Sequence, residues 1–249
     1  MGKVKVFDDI YKLSRAAGEF FITTCKKSIR EQGRFAVAFS GGATPESLYA
    51  LLATDSFSAR IEWDKVHVFW GDERCVPPND VDSNFRMAKY ALLDHVPLPK
   101  ENIHRILGER QPDQAAAEYD TELRAFFGGT ASLNPRFDLV LLGMGADGHT
   151  ASLFPHTAAL EAQHTWVVAN YVDEMHVWRI TLTPSAINAA ANVVFLVSGS
   201  SKANRLKQVL EGRYQPQHLP AQLIQPRDGN LLWLIDREAA EGLDQSLKA

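Results

Sequence analysis

With 249 residues, the chain fits one large α/β domain better than two small ones, and folding hides roughly three quarters of its accessible surface, so the core needs no disulfides or metals. Its 45% hydrophobic, 22% charged and 10% aromatic residues lie near the globular average, which excludes disordered, collagen-like, coiled-coil and disulfide-scaffold classes. Lys and Arg number 26 against 30 Asp and Glu, and the net charge of -4 argues against nucleic-acid and anionic-membrane partners, so anionic ligands must be met by local groups. The first ten residues carry no apolar signal region, and the longest apolar stretches, residues 139–142 and 193–197, fall far short of the ~20 needed to span a bilayer. Cys25 and Cys75 match no metal-ligand spacing and suit a reducing compartment, so the expected location is cytoplasmic.

Ile10, Leu13, Ala17, Phe20 and Phe21 recur at helical spacing after a cap at Asp8 or Asp9, with Gly33 as the stop. Residues 35–39 read as a short buried strand running into Ser40-Gly41-Gly42-Ala43-Thr44-Pro45 and a helix through Leu51. The strand, turn, helix unit recurs: residues 66–70 precede Gly71-Asp72-Glu73-Arg74, with a helix beginning near Ser83. A helix over 113–127 leads to a strand over 137–142 and the turn Gly143-Met144-Gly145-Ala146-Asp147-Gly148-His149. Residues 167–169 and 178–182 read as an antiparallel pair, and 193–197 run into Ser198-Gly199-Ser200-Ser201-Lys202 and a helix to Leu210. The Pro- and Gln-rich stretch 215–229 reads as a surface loop, 231–235 as a last strand and 237–247 as a closing helix. Alternation of this kind predicts an α/β fold: an open, mostly parallel, Rossmann-like sheet with helices on both faces, plus a small additional β element. Neither repeats nor a long linker divide the chain, so residues 1–249 are expected to form a single domain.

In such sheets ligands bind beyond the carboxyl ends of the strands, and right-handed crossovers bring those turns to one edge. Glycines in Ser40–Pro45 let backbone N–H groups approach an anion, and the following helix adds its partial positive charge, which suits a phosphate. The Gly-Lys-Ser/Thr ending of a Walker A loop is absent. Lys202 near a helix start is electrostatically unfavourable without a bound anion. Gly143, Gly145 and Gly148 satisfy G-x-G-x-x-G, but Pro155 interrupts the helix a dinucleotide site requires. His149, next but one to Asp147, has the makings of an oriented general base; an ordinary turn that uses Asp and His to satisfy its backbone is the plainer alternative. No serine-hydrolase elbow or zinc-peptidase motif is present, and Cys75 reads as a packing residue.

Three stretches together resemble 6-phosphogluconolactonases: Ser40–Pro45; Trp70–Pro77 with Asp82-Ser83-Asn84-Phe85; and Gly143–Pro155. Residues 179–183 and 198–203 continue the match. The resemblance implies a deaminase/lactonase-type fold and hydrolysis of 6-phospho-D-glucono-1,5-lactone, a phosphorylated sugar lactone, in the oxidative pentose phosphate pathway. It implies His149 and Asp147 as the catalytic pair, with Ser40, Gly41, Gly42, Thr44, Asp72, Arg74, Asn84, Arg179 and Lys202 on the substrate and its phosphate. Whether Arg74 and Arg179 hold phosphate or steady an oxyanion stays open, as does Asp72, which either binds hydroxyls or orients Arg74. No metal or cofactor is implied, and the assembly is expected to be a monomer or small homo-oligomer. The related glucosamine-6-phosphate deaminases carry Asn-Glu-Pro where this chain has Leu153-Phe154-Pro155, so the ring-opening carboxylate has no counterpart here. A deaminase-like isomerase and a non-catalytic sugar-phosphate-binding regulator are the alternatives.

Overall fold

The computed structural model describes residues 2–128 and 135–244. Six strands, β1 (Lys3–Phe7), β2 (Phe35–Phe39), β3 (Val66–Trp70), β5 (Leu139–Leu142), β8 (Asn192–Val197) and β9 (Asn230–Asp236), form one sheet in the order β1-β9-β8-β5-β2-β3. Every pairing in it is parallel. Three more, β4 (Asp72–Arg74), β6 (Val167–Val172) and β7 (Val177–Leu182), form a small antiparallel sheet in the order β4-β7-β6. The helices are α1 (Ile10–Gln32), α2 (Ala43–Leu52), α3 (Asp55–Ser58), α4 (Asn84–Ala91), α5 (Pro112–Phe127), α6 (Pro184–Ile187) and α7 (Ala203–Glu211). The central strands β2 and β5 are buried at every position, as apolar runs covered on both faces must be.

Local chemistry accounts for the element ends. The Asp9 carboxylate accepts the Lys12 N–H at the start of α1, and Gly33 closes that helix in the left-handed region at φ 78°. Gln111 caps α5, and Gly128 ends it. Asp138 accepts the Ala36 N–H at 2.8 Å. Its side chain thus occupies a place in the β2 ladder, and β5 begins one residue later rather than at 137.

Three expectations change. A strand precedes the first helix: Lys3 and Lys5 alternate with Val4 and Val6 on the sheet's edge, where charge replaces the usual apolar run. Residues 237–243 form successive turns instead of a helix, because Asp236 accepts the N–H of Ala239 as well as that of Gly199 and bends the chain back; residues 245–247 of that expected helix lie outside the described residues. The stretch 215–229 is partly interior: Leu219, Ala221, Gln222 and Ile224 are buried, and the Ala221 N–H donates to the Gly148 carbonyl at 3.0 Å.

The two sheets meet at Gly71. Its N–H donates to Phe39 in the large sheet, and its carbonyl accepts from Leu182 in the small one, both at 2.8 Å. The parallel sheet therefore delivers the ends of β2, β5 and β8 to one edge, and Gly71 turns β4 and β7 over that edge as a wall. Among the described residues no helix is long and apolar enough to cross a membrane.

Candidate active site

Beyond the strand ends lies a cleft of about 340 Å³, lined by Ser40 to Pro45, Asp72, Arg74, Asn84, Gly143 to Gly145, His149, Ala151, Leu196 to Ser198 and Lys202. On one side is the N-terminus of α2. Gly42 stands at the cap position with no side chain to engage the first N–H groups, leaving them for a ligand. The Ser40 hydroxyl is buried without a hydrogen-bond partner among the described residues, a costly state that an incoming acceptor would relieve. Gly41 is demanded by packing, since a Cβ there would lie 1.9 Å from Asn84 Oδ1. Lys202 stands at the N-cap position of α7, with no capping bond from its side chain, and also lines the cleft, so two helix starts and a cation meet there.

His149 follows β5. Asp147 Oδ1 lies 2.6 Å from His149 Nδ1 and also accepts the His149 backbone N–H at 3.1 Å. An ionised carboxylate only accepts, so Nδ1 carries a proton, and in the neutral ring it is Nε2 that keeps the lone pair. Partial burial works to raise the Asp147 pKa, but the hydrogen bond from His149, with the charge its ring carries once protonated, outweighs it and holds the carboxyl below its usual value. The Phe154 ring stacks on the imidazole at 4.1 Å. Gly145 leaves room for the pair: a Cβ there would fall 2.1 Å from Nδ1 and 2.4 Å from the Asp147 carboxylate.

The wall carries Asp72, whose buried carboxylate accepts from Ser152 Oγ at 2.7 Å and from Asn84 Nδ2 at 3.4 Å. Ser152 is held in turn by Thr181, which accepts its N–H, and by Asn170, which donates to its carbonyl. Glu73, on the other face of β4, accepts the N–H groups of Arg74, Asn84 and Phe85 and the Ser83 hydroxyl, so it secures the start of α4 and with it Asn84. Burial raises the Glu73 pKa against those donors. Arg74 and Arg179 face each other in register across β4 and β7. Like charges placed so destabilise a sheet unless an anion intervenes. Burial, then the charge of Arg74, lowers the pKa of Arg179.

A model of the family described as Glucosamine-6-phosphate isomerases/6-phosphogluconolactonase matches residues 8–233. The chain belongs to that family. A protein named 6-phosphogluconolactonase from Synechocystis sp. is 46% identical over 89% of this chain and 90% of its own length. A solved structure titled 6-phosphogluconolactonase from Trypanosoma cruzi superposes with a TM-score of 0.86 at 28% identity, covering 98% of this chain and 97% of that one. A monomeric glucosamine-6-phosphate deaminase shares the fold, with a TM-score of 0.78 at 22% identity over 96% and 99% of the two chains.

Within this family frame, Ser40, Gly41, Gly42, Thr44, Asp72, Arg74, Asn84, His149 and Lys202 all line one cleft. Asp147 stands behind His149 and Arg179 beside Arg74; neither lines the cleft. The Arg74 guanidinium donates to the Asp82 carbonyl, and among the described residues no hydrogen bond joins it to Asp72. Ser152, Thr181, Asn170 and the stacking role of Phe154 escape a sequence reading. Ser152 and Phe154 sit in the family stretch, but their partners lie across the fold, and nothing local marks them. Among the described residues, no group of three or more His, Cys, Asp or Glu side chains could hold a metal ion.

Proposed function

We propose that this protein hydrolyses 6-phospho-D-glucono-1,5-lactone to 6-phospho-D-gluconate. The observation that carries the reading is that one cleft joins an imidazole with a free Nε2 to an uncapped helix N-terminus suited to phosphate. Names of relatives such as the Synechocystis protein support the same substrate.

Ser40, Gly41, Gly42 and Thr44 hold the phosphate with Lys202, and Arg74 and Arg179 supply a positive field along the wall. Asp72, fixed by Ser152 and Asn84, accepts from sugar hydroxyls. His149 Nε2 takes a proton from a water whose oxygen bonds to C1. The tetrahedral intermediate then breaks its bond from C1 to the ring oxygen, and that oxygen takes the proton back from His149. Asp147 stabilises the imidazolium between the two transfers. A positioned base of this kind is worth about 10²–10⁴ in rate. This chemistry needs no cofactor. The chain works as one domain, a monomer or small homo-oligomer, in a cytoplasm reducing enough to keep Cys25 and Cys75 as the free thiols they are.

A coupled assay offering freshly made 6-phosphogluconolactone beside glucosamine 6-phosphate tests this reading. Only the lactone is consumed; release of ammonia from the amino sugar instead would overturn it.

A further inference from the structure

Two buried tyrosines perform the same unusual task at the ends of β2 and β3, beside the cleft. The Tyr49 hydroxyl accepts the Ser40 N–H and donates to the Ser40 carbonyl, both at 3.0 Å. The Tyr119 hydroxyl accepts the Trp70 N–H at 2.9 Å and donates to the Trp70 carbonyl at 3.1 Å. Both side chains are essentially inaccessible, at 0% and 2% exposure. Burial raises both phenol pKa values, so each oxygen keeps the proton it donates.

The sheet itself explains why these backbone groups need a partner. Phe39 takes the Gly71 N–H, and backbone polar groups alternate sides along a strand, so the Trp70 N–H and C=O point from β3 to the sheet's open edge. Ser40 lies one residue beyond the end of β2, past its last paired position. Buried amides and carbonyls must be satisfied somewhere, and here one side-chain hydroxyl serves each pair.

We infer that Tyr49 and Tyr119 are positioning residues, each fixing one strand end and thereby one part of the cleft. Tyr49 lies on α2, the helix whose N-terminus forms the anion loop, so its hydroxyl closes a ring from β2 through Ser40, Gly41 and Gly42 back to the same helix. Tyr119 lies on α5 and holds Trp70, two residues before Asp72. The first tyrosine sets phosphate affinity. The second sets the wall at Asp72, which meets the sugar hydroxyls rather than the phosphate. Their assignment to these steps rests on the lactonase reading; the anion-loop part does not.

Tyr49→Phe and Tyr119→Phe keep the rings, and Tyr49's ring stays stacked on Phe39, so the hydroxyl alone is removed. Inorganic phosphate affinity by calorimetry, kcat and KM on phosphorylated and plain gluconolactone, and the thermal midpoint are measured for each. In Tyr49→Phe, phosphate affinity and the preference for the phosphorylated lactone both fall about tenfold, the ratio that ~1.4 kcal/mol gives. In Tyr119→Phe, kcat falls on both lactones alike and the preference persists. Lower thermal midpoints with unchanged phosphate affinity and preference in Tyr49→Phe, unchanged kcat in Tyr119→Phe, or the same kinetic signature in both variants, would overturn the inference. Should either variant fail to fold, exchange of the Ser40 and Trp70 amides in the native protein decides: protection as strong as that of the β2 and β3 ladders supports fixed ends, and rapid exchange overturns it. A wild type that binds phosphate but turns over no lactone fails the functional reading alone, and the Tyr49 test is then read from phosphate affinity.

Discussion

At the scale of single residues, the cleft is built by what small side chains permit. Gly41 and Gly145 each occupy a place where one added carbon would collide, with Asn84 in the first case and with the Asp147 and His149 pair in the second. Their functional partners are the neighbours that exclude a Cβ. His149→Ala should lower kcat on the phosphorylated lactone by about 10²–10⁴ while leaving product affinity within a few-fold, and near wild-type turnover would remove His149 as the base. Lys202→Ala and Arg74→Ala should raise KM about tenfold or more and weaken the preference for phosphorylated over plain lactone, as expected when a charge-assisted contact worth about 1.5–3 kcal/mol is lost. Asp147 and His149 were readable in sequence as a candidate pair because both lie in one turn, whereas the packing that demands Gly41 was not, because it depends on Asn84 from a distant stretch. Ser152 was not, because its meaning depends on Asp72, 80 positions away.

Among elements, strands flanked by turns were easy to read and the short wall was not. β4 is only three residues long and charged throughout, Asp72-Glu73-Arg74; it is a strand because β7 pairs with it, not because of its own propensity. β1 was hidden by its lysines for the same reason. The edge strand β3 carries a further device: His67 Nδ1 lies 3.2 Å from His104 Nε2, and His104 Nδ1 lies 2.7 Å from Glu122 on α5. Burial first, then the charges of His104 and Arg34, lowers the His67 pKa to about 4. An unfolded histidine titrates near 6.5, so between about pH 6.5 and pH 4 the unfolded chain binds a proton that the folded one refuses. Stability contributed by neutral His67 is thus complete above pH 6.5 and declines as pH falls towards 4. Urea midpoints at pH 7 and pH 5 should separate more for the wild type than for His67→Gln, and equal separations would discard the assignment.

For the molecule as a whole, the net charge of -4 coexists with a cleft whose nearby cations, Arg74, Arg179 and Lys202, come from distant stretches of sequence. A mildly acidic surface and a basic pocket are compatible because the charge is concentrated where the strand ends converge. The hydrophobic core likewise continues across both sheets, taking in Ile180 and Leu182 of β7 with Phe39 of β2 and Leu141 of β5. Unfolding should therefore follow one transition, with tryptophan fluorescence and far-UV circular dichroism giving coincident midpoints; two separated midpoints would mean that the small sheet is an independent unit.

Gly71 gives that continuity a kinetic meaning. One residue's amide belongs to the large sheet and its carbonyl to the small one, so the two sides of the cleft share a single link in the chain. Swinging them apart would break ladder bonds on at least one side. The cleft is thus open to solvent yet preset in width, and the proposed phosphate binding has no swing of one sheet against the other to drive. On the proposed mechanism, that energy is left to hold the lactone carbonyl in reach of His149.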